Sequence, residues 1–205
     1  MRLHEARRDL YRRLAKEQGY KSRAAFKLTE AAEKYNFIHE GDRVVDFGAA
    51  PGGWLQVCAQ LVGPSGRVVG VDLREIHLKD KNVATLAIDV NDPRVADRVI
   101  HILGREADVM LSDLAPSVSG VWALDQTRQA DLTLRVLDLS GPLLRRGGSA
   151  FLKLFEGERS PEVRETLRKR FDVIRAVKPA ASRSASSELY YYCEGWRGAP
   201  PNSAG

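Results

Sequence analysis

Asp46-Phe-Gly-Ala-Ala-Pro-Gly-Gly-Trp54 brings a carboxylate, three glycines and an indole into one short run. The apolar pair Val44-Val45 precedes it and Leu55-Gln-Val-Cys-Ala-Gln-Leu61 follows, so it reads as a buried strand, a tight turn and a helix start. Gly48, Gly52 and Gly53 let the backbone approach a ligand with no Cβ in the way. Their order, G-x-x-x-G-G, is not the G-x-G-x-x-G that wraps a pyrophosphate. A carboxylate at the strand end, Asp46, repels a pyrophosphate. It suits a ligand carrying an ammonium and a sulfonium, the two cationic groups of S-adenosylmethionine. Three more expected strands end in Asp, at Asp72, Asp89 and Asp113. Asp72 follows Gly48 by 24 residues, near the spacing at which an acid reaches ribose hydroxyls. Asp89 has two readings, as acceptor for an adenine amino group or as a turn former that caps the next helix. Lys153 lies between Leu152 and Leu154, and an amine in an apolar strand needs a partner.

These residues need strands whose carboxyl ends share one edge. Strands are expected at 43–47, 67–72, about 83–88, Ala107–Ser112, Ser149–Phe155, Asp172–Val177 and Glu188–Gly195. Helices are expected over 53–62, from Asp92-Pro93 to about 103, about 125–145 and from Pro161 to about 169. Gly147-Gly148 is expected to break the long helix, whose apolar side carries Leu132, Val136, Leu139 and Leu143. Before the first strand, Leu3, Ala6, Leu10 and Leu14 mark an amphipathic helix over 2–17, ended by Gly19. Ser22 is the expected N-cap of a helix over 23–35 that buries Ala24, Ala25, Leu28, Ala31 and Ala32. Alternating strands and helices imply a parallel sheet with helices on both faces. The helix-free connection 178–187 implies that the last strand is antiparallel. The division expected is a basic extension over 1–21, one domain over 22–196 and a disordered tail over 197–205.

Length and composition fit one globular domain among 205 residues. No apolar run approaches the ~20 residues of a membrane span, and no apolar signal core follows the charged start, so a cytoplasmic protein without a membrane partner is expected. Cys58 and Cys193 form no disulfide framework and read as buried apolar residues. His4, His39, His77 and His101 are scattered, so no metal is expected. Net charge is +5, yet residues 1–27 hold nine Lys/Arg against three acids, leaving the remainder near neutral. That asymmetry is the footprint of a polyanion partner, against the plainer reading of a solvated helix face.

Six stretches together resemble the FtsJ (RrmJ-like) family of RNA ribose 2′-O-methyltransferases: Ser22-Arg-Ala-Ala-Phe-Lys-Leu28, Asp46–Trp54, Val71-Asp-Leu73, Leu111-Ser-Asp-Leu-Ala-Pro116, Phe151-Leu-Lys-Leu-Phe155 and Ser186-Ser-Glu-Leu-Tyr190. The resemblance covers roughly residues 20–195 and implies a single-domain, Rossmann-like class I fold that uses S-adenosylmethionine. The family's Lys-Asp-Lys-Glu catalytic set falls by motif on Lys27, Asp113, Lys153 and Glu188. Its cofactor contacts fall on Gly52, Trp54, Asp72, Asp89 and Asp113. Asp46, Gly48, Pro51 and Gly53 of the turn complete the cofactor set, with Leu73 and Val90 beside the two acids. The chain departs from the family at Ile88-Asp89, where Gly-Asp is common, and in the stretch after Trp196.

Methyl transfer to a ribose hydroxyl requires alignment and removal of a proton from a very weak acid. The expectation is that Lys153 accepts this proton, positioned by Asp113, while Lys27 and Glu188 fix the ribose and the lysine geometry. The four formal charges sum to zero, which permits burial of the set. Only RNA offers a 2′-hydroxyl. Arg7, Arg8, Arg12, Lys21 and Arg23 are expected to hold its phosphates. The implied target is a uridine ribose of large-subunit (23S-type) ribosomal RNA, free or in the ribosomal subunit, acted on by a monomer. Transfer RNA is the second reading, and a non-catalytic assembly factor that binds cofactor and RNA the third. Tyr190, Tyr191 and Tyr192 read as packing residues rather than a stacking platform. Trp122, after Ser119-Gly120, stays open between exposure beside the acceptor site and packing.

Overall fold

The apolar strands and amphipathic helices assemble into one seven-stranded sheet. The computed structural model describes residues 3–182 and 187–198, with side chains from Leu10 onward. Arg7 and Arg8, expected to touch RNA, therefore have side chains outside the described residues, as does Ser186 of the last motif. Of the expected tail, only Arg197 and Gly198 are described.

The strands are β1 (Arg43–Phe47), β2 (Arg67–Asp72), β3 (Val83–Ala87), β4 (Ala107–Ser112), β5 (Leu144–Phe155), β6 (Phe171–Val177) and β7 (Glu188–Trp196). Their spatial order is β3-β2-β1-β4-β5-β7-β6, with β7 antiparallel to both neighbours and every other pairing parallel. Two buried clusters cover the two faces. One joins the sheet to α2 (Ala25–Tyr35) and α3 (Gly53–Val62), through Leu28, Leu55 and Phe151 among others. The other joins it to α4 (Val95–Leu103), α5 (Trp122–Leu143) and α6 (Ser160–Arg170), through Val99, Val136 and Leu167. Chain order reverses between β1 and β4, and ligands bind at such a switch point in open α/β sheets. Among the described residues no helix is long and apolar enough to cross a membrane.

Four local expectations differ from the fold. Ser22 is not a cap: α2 starts at Ala25, and its N-cap residue Ala24 makes no side-chain cap bond. Ser22 instead lies under Gly53, where a Cβ would come within 2.4 Å of its Oγ. Gly147-Gly148 does not open a loop, because α5 passes directly into β5 at Leu144. The two glycines fall within a register shift between the Ala107–Leu144 and Val109–Ser149 pairs, with Gly147 at φ +78°. In α1 (Leu3–Glu17) the apolar stripe is only partly covered: Leu10 is exposed and Leu14 half-buried, while Ala15 is buried. Ala24, assigned to the buried face of α2, is half-buried, and that face instead includes Lys27.

Candidate active site

The turn after β1 is shaped by contacts that leave no room for side chains. Gly48 takes φ +79°, and a Cβ there would lie 2.8 Å from the Leu114 amide nitrogen. Its own N–H donates to Val71 O at 2.8 Å, and Asp113 N donates to Phe47 O at 3.0 Å, which ties together the ends of β1, β2 and β4. The Ala50–Pro51 peptide is cis, and Gly52, at φ +110°, is the N-cap of α3. Trp54 Nε1 donates to Ala24 O at 2.7 Å and joins α3 to the entry of α2.

Between these segments lies a cavity of about 250 Å³, whose wall includes Ser22, Asp46, Gly48, Pro51, Trp54 and Asp113. Asp46 is fully buried, and neither carboxylate oxygen has a hydrogen-bond partner. Burial first, then the charges of Asp113 and Asp72, push its pKa well above the ordinary carboxylate range. A buried carboxylate without donors is costly unless a cation or donor reaches it.

Lys27 from α2, Asp113 after β4, Lys153 of β5 and Glu188 of β7 meet at one end of the cavity, and Lys27 and Asp113 also line it. Both lysines are only 6% exposed. Lys27 Nζ donates to Glu188 Oε1 at 2.6 Å and to Tyr190 Oη at 2.8 Å. Tyr190 Oη donates to Asp113 Oδ1 at 2.6 Å. Lys153 Nζ reaches the same Oδ1 and the Asp113 carbonyl, each at 2.9 Å, and stands 3.9 Å from Glu188 Oε2. Burial would raise the Asp113 pKa, but the Lys153 and Lys27 charges and the Tyr190 hydrogen bond outweigh it and hold the group below its ordinary value. Burial, then the Asp113 and Glu188 charges, keep the Tyr190 phenol protonated, well above its ordinary range. The hydroxyl therefore accepts from Lys27 and donates to Asp113.

Sheet register explains the meeting. Lys153 pairs with Tyr190 and Phe155 with Glu188, so all four side chains leave one face of the sheet. Gln129 Nε2 and Thr133 Oγ1 of α5 donate to the Lys153 carbonyl and fix that stretch of strand. Tyr190 reads from the sequence as a packing residue. It is indeed fully buried, stacked on Phe151, and its hydroxyl is also a member of the cluster. The signal was in the sequence: two residues after Glu188, on the same strand face.

The expected cofactor residues separate into two groups. Gly52 faces Ile76 and Leu78, whereas Asp46, Gly48, Pro51, Gly53 and Trp54 of the turn line the cavity with Asp113. Asp72, Leu73, Asp89 and Val90 lie beyond its wall, at the ends of β2 and β3. Asp72 accepts from Ala50 N and Arg74 N, both at 2.9 Å, and so braces the turn. Asp89 accepts from Asn91 N at 2.8 Å, a turn-forming bond, but it does not cap the next helix: α4 starts at Val95, with Arg94 as its N-cap residue and no side-chain cap bond. Leu73 is exposed and Val90 is buried in the core.

On the far side of Ser22 and Arg23, a second cavity of about 440 Å³ is lined by Arg12, Lys16, Tyr20 and Lys21. The link from α1 is fastened to α3: Gln56 accepts from Lys21 N at 2.7 Å and donates to Gly19 O at 3.0 Å. A basic surface therefore runs to the mouth of the first cavity.

Residues 20–196 match the family described as FtsJ-like methyltransferase. The chain is 44% identical over 195 residues to the ribosomal RNA large subunit methyltransferase E of Methanothermobacter thermautotrophicus, covering 95% of this chain and 92% of that one. A solved structure from Plasmodium falciparum, described as a ribosomal RNA methyltransferase, superposes with a TM-score of 0.77 at 25% identity, over 88% of this chain and 100% of that one. Aeropyrum pernix fibrillarin, solved with natively bound S-adenosylmethionine, shares the fold at a TM-score of 0.60 and 18% identity, over 82% and 75% of the two chains.

Proposed function

The chain belongs to the FtsJ-like methyltransferase family, and on that premise we propose that it methylates the ribose 2′-hydroxyl of a uridine in large-subunit ribosomal RNA, with Lys153 as proton acceptor. S-adenosylmethionine is the methyl donor, and when bound it supplies a methyl carbon made electrophilic by its sulfonium. The residues present fit such a ligand: Asp46 offers two buried oxygens without donors, beside a turn where Gly48 and Gly52 take left-handed backbone. Asp46, Gly48, Pro51, Gly52, Gly53 and Trp54 would hold its charged end. Asp72, Leu73, Asp89 and Val90 would hold the nucleoside.

The observation that carries the reading is the buried, charge-neutral set of Lys27, Asp113, Lys153 and Glu188 at the cavity edge. A ribose hydroxyl is a very weak acid, and a positioned base speeds removal of its proton by ~10²–10⁴-fold. Lys153 is the amine held on two sides by Asp113, through carboxylate and carbonyl, and it accepts the hydroxyl proton as the neutral amine, its own ammonium proton having first gone to solvent. Asp113 and Glu188 aim it, and Lys27, braced by Tyr190 and Glu188, fixes the ribose. After β4 the chain reads Asp113-Leu-Ala-Pro116, without an aromatic slot for a flipped base, which favours ribose over base as acceptor. The substrate class comes from the relative, which is named for large-subunit ribosomal RNA.

Lys153→Ala and Lys153→Arg test the assignment. The first removes the amine, and the second substitutes a guanidinium that does not deprotonate. Both are expected to slow single-turnover methylation by ~10²-fold or more while cofactor affinity persists. Methylation by Lys153→Ala near the wild-type rate would overturn the role of Lys153.

A further inference from the structure

The link after β4 and the first turn of α5 carry four exposed large apolar side chains, Val118 and Val121 in the link and Trp122 and Leu124 in the helix, shortly after Asp113-Leu-Ala-Pro116. Trp122 is 53% exposed and lies nearly parallel to Phe155, with ring centroids 5.9 Å apart and planes at 19°. Phe155 pairs with Glu188 and stands two residues beyond Lys153, so the stacked rings share a sheet face with the catalytic set. The segment is pinned by the buried Asp125, which accepts from Ser119 N at 3.0 Å and Ser119 Oγ at 2.7 Å. Val121 N donates in turn to Ser119 Oγ at 3.1 Å. A large ring is therefore held in place with one face supported and its surface open, against the strand end that follows Lys153.

We propose that Trp122, backed by Phe155, is a stacking ledge that takes a nucleobase adjacent to the methylated nucleotide. The inference rests on RNA being the substrate, as proposed above. An unpaired base beside the target ribose presents a planar apolar face, and the ledge extends that stack by one ring. Stacking of this kind tolerates any base, so the ledge positions the strand while the catalytic set selects the hydroxyl.

The chain has three tryptophans, and Trp54 and Trp196 are 3% and 2% exposed. Quenching of tryptophan fluorescence by RNA therefore reports chiefly on Trp122. The probe is an unmodified large-subunit RNA fragment that the wild type methylates. Wild type is expected to be quenched on titration and Trp122→Phe is not, although the phenylalanine keeps a stacking ring and a KM near wild type. Trp122→Ala is expected to raise KM for RNA by ~5- to 100-fold, the range of a lost base–aromatic stack. Its KM should change more than its kcat, with cofactor affinity and Tm held. An unchanged KM for Trp122→Ala on this fragment would overturn the ledge and leave the function standing. So would a defect confined to assembled subunits, which would assign Trp122 to a protein contact. Absence of methylation of any RNA by the wild type would instead overturn the function.

Discussion

Tyr190 accepts from Lys27 and donates to Asp113, so its hydroxyl joins the two halves of the proposed catalytic set. Tyr190→Phe keeps the ring on Phe151 but leaves buried partners short of a bond, at a cost of ~1–3 kcal/mol. A lower Tm and slower methylation are expected, read by thermal unfolding and single-turnover assay; an unchanged rate would remove Tyr190 from the machinery. Asp46 predicts the opposite sign for stability. Its folded pKa lies above the unfolded value, so its contribution to folding is complete only below the ordinary carboxylate range. That contribution is lost as pH rises through the raised value. Near neutral pH the carboxylate therefore opposes the ligand-free fold, and Asp46→Asn should raise Tm there, with the gain shrinking in acid. The same variant should bind S-adenosylmethionine more weakly by calorimetry; unchanged affinity would contradict a role for Asp46 in the cofactor site. Lys27, Asp113, Lys153 and Glu188 were legible as motif positions. Tyr190 was missed because three consecutive tyrosines in an apolar strand read as packing, and composition does not show where a hydroxyl points.

Elements were legible where periodicity is strong and less so at junctions. β1, β2, β4 and α3 fall where the apolar runs end, since a glycine or acid marks each boundary. The α5–β5 junction was not legible, because Gly147-Gly148 signals a break equally well for a loop and for the register shift observed. Ser22 looked like a helix cap, but its contact is with Gly53, across the chain in α3. Gly53 has no left-handed backbone, so Gly53→Ala should harm the fold only by driving a methyl into Ser22. Overpacking of this kind costs ~1–3 kcal/mol. Ser22→Ala in the same chain should recover part of the loss in Tm and in cofactor affinity. Strictly additive effects in this double-mutant cycle would contradict the contact.

At the scale of the whole molecule, the sheet sets the chemistry at the switch point between β1 and β4, and charge sets the approach. The dense basic residues before position 28 were legible from composition alone. Their arrangement was not: Arg12, Lys16 and Lys21 line a cavity that meets the proposed cofactor cavity at Ser22 and Arg23, where Gln56 fastens the intervening link to α3. RNA affinity should fall steeply with salt. Replacing Lys21 by Ala should reduce the slope of log affinity against log salt by ~0.7–0.9, about equally for different RNA sequences. An unchanged slope would move the phosphate path elsewhere.

The most direct test of the account is transfer of labelled methyl from S-adenosylmethionine to total RNA lacking its native modifications, followed by mapping of alkali-resistant positions. Label is expected on a single uridine ribose of large-subunit ribosomal RNA. Label on a base, on transfer RNA, or on no RNA with cofactor binding intact would contradict it.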